Sequence, residues 1–183
     1  SVSITLDAIG VTSIANNSTS DFGIDVLDVA NFETVNLNSK KSATVTANEV
    51  RGLTDSSATT LNLTGDADLT ITQSGTKLTK LDAAGLDGKL AVTLGANKVS
   101  VTGTAKDDTF TFAGNLNNDD VVVGGDGKDT LTATLTGATA ATGKLNISGV
   151  ETVTLATTGN NTLNLAGVTG ATSSNNPLPP PSA

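Results

Sequence analysis

The sequence predicts an all-β chain wound as a right-handed parallel β-solenoid, of the β-roll or β-helix kind, with short strands. Three observations lead there. Short segments of alternating apolar and polar residues recur every 8–12 residues or so, separated by Gly, Asn, Asp and Ser, the turn chemistry of an all-β chain. A complete nonapeptide, Gly124-Gly125-Asp126-Gly127-Lys128-Asp129-Thr130-Leu131-Thr132, sets three glycines and an aspartate ahead of an apolar residue. A longer pattern also appears twice, at Val26 to Leu37 and at Lys144 to Leu155. Internal repetition marks units that bury an apolar face only against their neighbours.

In chain order, Ser1 to Leu6 (S-V-S-I-T-L) alternates with strand periodicity. It matches Thr130 to Leu135, which follows the nonapeptide turn, so the chain is expected to begin just after a similar turn. Asn16 to Ser20 is a polar loop by composition. In the two long copies Leu27 aligns with Leu145, Val29 with Ile147, Phe32 with Val150, and Glu33-Thr34-Val35 with Glu151-Thr152-Val153. Each copy is followed by one type of strand, Thr60-Leu61-Asn62-Leu63 in the first case and Thr162-Leu163-Asn164-Leu165 in the second. Further strands are expected at Leu69 to Thr72, Leu90 to Leu94, Val99 to Thr102, Phe110 to Phe112 and Val121 to Val123. The best helical candidate, Thr46 to Leu53, is a turn or two at most, and Gly85 and Gly88 argue against a helix across Leu78 to Leu90. Residues 1–175 therefore read as one solenoid. Residues 176–183, Asn-Pro-Leu-Pro-Pro-Pro-Ser-Ala, read as an extended linker or tail, because proline lacks the donor a sheet interior needs.

Composition removes several function classes. The 183 residues contain no His and no Cys, which excludes His-dependent nucleophile pairs, disulfides and thiolate metal sites. Eighteen Asp and Glu against ten Lys and Arg give a net charge of −8. That balance argues against nucleic acid and anionic membranes and suits cation binding. No apolar run is long enough to span a bilayer, so membrane insertion is not expected.

The nonapeptide reads G-G-x-G-x-D-x-U-x, with U a large apolar residue. It resembles the calcium-binding repeat of the RTX class, which builds a parallel β-roll. The physics of the spacing is direct. Glycines permit a tight turn with positive φ, so that carbonyls converge, and the aspartate adds a hard anionic oxygen of the kind Ca²⁺ prefers. Read outward, the same grid places Asp120 and Val122 at the sixth and eighth positions of Asn115 to Val123. It places Asp108 and Phe110 at those positions of Gly103 to Thr111, with Phe112, Ala113 and Gly114 as a small insertion. The calcium turns thus span about residues 103–132. The β-roll resemblance implies that turns alternate between two edges. Asp108 and Asp129 would then share one Ca²⁺, completed by carbonyls around Gly103, Ala105, Gly124, Asp126 and Gly127. Asp120 would face the other edge, stacked on Gly95-Ala96-Asn97, where no aspartate makes a partner. Thr104 and Lys106 replace two of the glycines in the first turn, and Asn115 replaces the leading glycine of the second. One to three ions are expected rather than a long ladder. Glu33 and Glu151 read as solvent-facing strand residues whose recurrence reflects the repeat.

The chain is similar to surface-layer proteins and large surface adhesins of the RTX class, which mix calcium repeats with strand repeats of the G-V-E-T-V-T-L sort. The resemblance implies type I secretion, an extracellular cell-surface location, and folding when calcium is met. Expected partners are neighbouring copies of the same surface protein, and a cell-surface polysaccharide. The leading expectation is a structural, non-enzymatic segment. The alternative is the carrier portion of an exported protease or lipase whose chemistry lies elsewhere in a longer chain. A calcium-dependent polysaccharide lyase is disfavoured. It wants a basic residue beside the ion and aromatic sugar platforms, whereas Arg51 is distant in sequence and Tyr and Trp are absent.

Overall fold

The computed structural model describes residues 1–7, 26–29, 31–43, 46–54, 57–73, 77–95, 98–114, 116–136, 144–158 and 164–175. Among the described residues sixteen strands follow one another: β1 (Val2–Asp7), β2 (Leu27–Asp28), β3 (Thr34–Lys40), β4 (Ala47–Thr54), β5 (Thr60–Gly65), β6 (Asp68–Gln73), β7 (Lys80–Leu86) and β8 (Leu90–Leu94). Then come β9 (Ser100–Thr102), β10 (Thr109–Phe112), β11 (Val121–Val123), β12 (Thr130–Thr136), β13 (Asn146–Ser148), β14 (Thr152–Thr158), β15 (Val168–Thr169) and β16 (Ser173–Asn175). The eight odd-numbered strands form one parallel sheet and the eight even-numbered strands another. Each strand therefore pairs with the strand two further along the chain, and the chain winds as a β-solenoid. No helix occurs among the described residues.

Strand alternation builds the core. In the odd sheet Val35, Leu61, Leu81, Val101, Val122 and Ile147 stand in one register column, each buried. In the even sheet Val50, Ile71, Val92, Phe110, Leu131 and Val153 form the corresponding column. Each such side chain, fully buried, contributes about 1.5–3 kcal/mol, so the interior between the sheets is the main stabilising term. The outer face of the even sheet is nearly uniform. Thr70, Ala91, Thr109, Thr130 and Thr152 make one column, and Thr72, Thr93, Thr111, Thr132 and Thr154 the next. Threonine suits a half-wet pleated surface, with its branched carbon packed on the sheet and its hydroxyl in water.

Four expectations are corrected. Thr46 to Leu53 is no helix but lies largely within β4, where Asn48, Val50 and Leu53 turn inward. A register shift between Val50 and Leu53 inserts an extra residue, and this bulge produces the three-residue apolar spacing that imitates a helical turn. Phe112 is not part of an insertion: it ends β10, pairs with Leu94 and Ala133, and is buried. The two long copies do not occupy equivalent places, because an odd number of strand steps separates them. Glu33-Thr34-Val35 leads into β3 of the odd sheet, whereas Glu151-Thr152-Val153 leads into β14 of the even sheet. Asn164 and Leu165 are not in a strand; the next strand among the described residues is β15. The expected loop at Asn16 to Ser20, Ala96-Asn97, Asn115, Thr162-Leu163 and the 176–183 tail lie outside the described residues.

Candidate metal-binding turns

One register position at the start of the even strands from β4 onward decides what sits at one edge of the solenoid. Across successive coils the aligned positions are Asn48, Leu69, Leu90, Asp108, Asp129, Glu151 and Thr172. Both early leucines are buried, so the edge is closed by apolar side chains there. From Asp108 onward it carries three consecutive carboxylates. The coil from Asp108 to Asp129 takes 21 residues and the coil from Asp129 to Glu151 takes 22.

These carboxylates are tied together through the backbone. Asp108 Oδ1 accepts from Leu90 N–H at 2.8 Å, Asp129 Oδ1 accepts from Asp108 N–H at 2.8 Å, and Glu151 Oε2 accepts from Asp129 N–H at 2.7 Å. Each acid thus satisfies a donor in the coil before it, a donor that the tight turn leaves without a strand partner. Asp108 is fully employed, because its Oδ2 accepts from Thr104 N–H and its Oδ1 also accepts from the Thr104 hydroxyl at 2.9 Å. Thr104 stands where the nonapeptide has its second glycine, and its hydroxyl also receives Lys106 N–H at 3.0 Å. Of the two departures from the glycine pattern in the first turn, Thr104 therefore supplies a hydroxyl donor to its aspartate, while Lys106 bonds only to Thr104.

Asp129 is different. It is 1% exposed, and its Oδ2 is buried with no hydrogen-bond partner. An ionised oxygen left this way is costly. Burial, with Asp108, Glu151 and Asp107 nearby, pushes its carboxyl up to about 6 from the usual 3.8. Burial also raises Asp108, against the donors that lower it.

The turn geometry explains its three glycines separately. Gly125 has φ +114° and Gly127 has φ +119°, a left-handed backbone that a side chain would strain. Gly124 is needed for space: a Cβ there would collide with the Gly149 carbonyl oxygen and with Asp129 Oδ2. Two oxygens, one anionic, thus converge on a cradle that only glycine leaves open. Gly103 repeats this one coil earlier, where the Gly124 carbonyl oxygen and Asp108 Oδ2 approach. A divalent cation fits the donor chemistry at the Gly124 turn, since an orphaned carboxylate oxygen beside a carbonyl is what Ca²⁺ takes. Among the described residues no three carboxylates lie close enough to hold an ion by themselves, so backbone oxygens would complete any shell.

Asp120 lies on the other edge, ahead of β11 in the odd sheet, in register between Val99 and Leu145. Its Oδ1 accepts from Val99 N–H at 2.8 Å and its Oδ2 from Asn117 N–H at 2.9 Å. Both oxygens are employed and both neighbours in the column are apolar, so Asp120 reads as a turn cap. Gly103 and Gly124 are buried, whereas Ala105, Asp126 and Gly127 are exposed at the turn tips. Asp107 is also exposed. Lys128 N–H and the Lys89 ammonium hold its carboxyl below the ordinary value.

Sequence reasoning missed Glu151. It is half-buried and bonded to Asp129, not a solvent-facing strand residue. The signal was available in its spacing, because 22 residues from Asp129 is one coil.

Comparison with protein-family models, with curated proteins and with solved structures returned no match.

Proposed function

We propose that this chain is a structural, non-enzymatic segment of a secreted, calcium-dependent cell-surface protein, of the surface-layer or adhesin kind, in which Ca²⁺ locks the solenoid. The observation that carries the reading is the orphaned Oδ2 of buried Asp129 in a glycine cradle, within a column of carboxylates. Among the described residues, ion pairs reach Glu49, Asp82, Asp107 and Asp119, but none reaches Asp108, Asp129 or Glu151. Stacking these acids without a counter-charge opposes folding, and a bound divalent ion removes that opposition and couples binding to folding. The extended, regular sheet faces suit lateral packing against neighbouring copies, and the acidic balance is that of a cation-dependent protein rather than a nucleic-acid binder.

The test is thermal and spectroscopic. Circular dichroism melts in millimolar Ca²⁺ and in excess chelator are expected to differ, with the calcium-loaded chain melting higher by RT ln(1 + [L]/Kd) worth of stability. Superimposable melts would sink the calcium reading. Sedimentation with and without Ca²⁺ then asks whether copies associate.

A further inference from the structure

Resting on that calcium reading, we infer that the cation at the Gly124 turn is held jointly with the following coil, through Glu151 and the Gly149 carbonyl, and not shared with Asp108 of the preceding turn. Three observations converge. The only carboxylate oxygen among the described residues that is buried without a partner is Asp129 Oδ2. The second oxygen against the same cradle belongs to Gly149, two residues before Glu151. Glu151 reaches back to Asp129 N–H with Oε2, and Oε1 takes no part in that bond.

Asp108 is the poorer partner for a physical reason. Leu90 N–H and the two donors of Thr104 already occupy both its oxygens, so turning it toward a metal would strip buried donors of their acceptor. Glu151 faces no such conflict. Its longer side chain spans from a coil that lacks the glycine-aspartate pattern, and it brings the second negative charge that a hard cation needs. Gly149, with φ +60°, gives that coil the left-handed bend that sets its carbonyl against the Gly124 cradle. The sequence Gly149-Val150-Glu151 thus acts as half of a site whose other half is the nonapeptide.

Calorimetric titration of the 183-residue chain with CaCl₂ at pH 7.5 separates the possibilities. Glu151→Gln keeps an acceptor for Asp129 N–H and removes the charge. It is expected to weaken calcium binding at least about tenfold. Asp108→Asn is expected to change the affinity less than about threefold, although it costs stability. Wild-type affinity in the glutamine variant, or an equal loss in both variants, overturns the assignment. In the wild-type chain, carbon-13 NMR gives a readout that does not depend on any variant folding. Added Ca²⁺ is expected to move the carboxyl resonances of Glu151 and Asp129 more than that of Asp108, and the opposite order refutes the pairing. A wild-type chain that binds no calcium instead defeats the reading on which this one stands.

Discussion

The backbone N–H of Asp108 donates to Oδ1 of Asp129, one coil away, at 2.8 Å. That bond uses one oxygen of a buried carboxylate and leaves the other without a donor. The same aspartate is thus half structural and half unsatisfied. The structural half fixes the register of β10 on β12. The unsatisfied half is the place where a cation would act.

Asp129→Asn is expected to stabilise the calcium-free chain. The amide oxygen can still accept from Asp108 N–H. The amide nitrogen replaces the orphaned oxygen beside the Gly149 carbonyl, where a donor is welcome. A gain of about 1 kcal/mol corresponds to a Tm rise of about 2–4 °C in chelator at pH 7.5. The same variant should lose its melting response to Ca²⁺. A lower Tm in chelator would contradict the account of Oδ2.

Acid should do what calcium does. Asp129 titrates near 6 in the folded chain against 3.8 ordinarily, and Asp108 and Asp120 are raised too. The folded state therefore binds more protons than the unfolded one between these values, and stability rises as pH falls through about 6. That gain is complete below about 3.8, where the unfolded chain is protonated as well. Asp66, Asp82 and Asp107 are held low, so their contribution is lost only at still lower pH. In chelator, urea denaturation should show greater stability at pH 5 than at pH 7.5, and the increment from Ca²⁺ should grow with pH.

Much of this was legible in the chain. Alternation and turn residues located β1, β5, β6, β8 and β10 to β12 within a residue or two, because period-two burial leaves a clear trace. The nonapeptide grid, read through the β-roll resemblance in which turns alternate between edges, put Asp108 and Asp129 on one edge and Asp120 on the other. The role of Glu151 was hidden by its likeness to Glu33. The two share the Glu-Thr-Val sequence, yet one precedes an odd strand and the other an even one. Local sequence does not record which sheet a strand joins; the count of preceding strands does. The bulge in β4 was misleading for a related reason, because one extra residue converts a period of two into an apparent helical step.

Thr104→Ala tests the metal-free character of the first turn. The variant removes the hydroxyl that donates to Asp108 Oδ1 and accepts from Lys106 N–H. Asp108 keeps its two backbone donors, so the expected loss is about 1–2 kcal/mol by urea denaturation rather than unfolding. The loss should be the same with and without Ca²⁺. A loss that calcium repairs would mean that this turn, too, takes an ion.

Gly124→Ala should be among the most damaging single substitutions. The added Cβ meets the Gly149 carbonyl, which is backbone, and the buried Asp129 carboxylate, whose other oxygen is held by Asp108 N–H. Overpacking of this kind typically costs about 1–3 kcal/mol, and here the obstacle is backbone, so the upper end or beyond is expected. Calcium should not rescue it, because the substituent fills the cradle. Asp126→Ala, at the exposed tip of the same turn, should leave the melt nearly unchanged and serves as its control.

Asp120→Asn should have the opposite sign from Asp129→Asn, although the chemical change is identical. Asp120 accepts from Val99 N–H and Asn117 N–H with different oxygens. An amide can present only one oxygen, so its nitrogen must confront a backbone donor in a buried site. Leaving that donor unmet costs about 1–3 kcal/mol. The apolar neighbours Val99 and Leu145 offer no compensating acceptor in the column. Melts in chelator at pH 7.5 should therefore rank Asp129→Asn above wild type and Asp120→Asn below it. If both variants move the same way, the difference between a cap with two donors and a carboxylate with one is not what governs these turns.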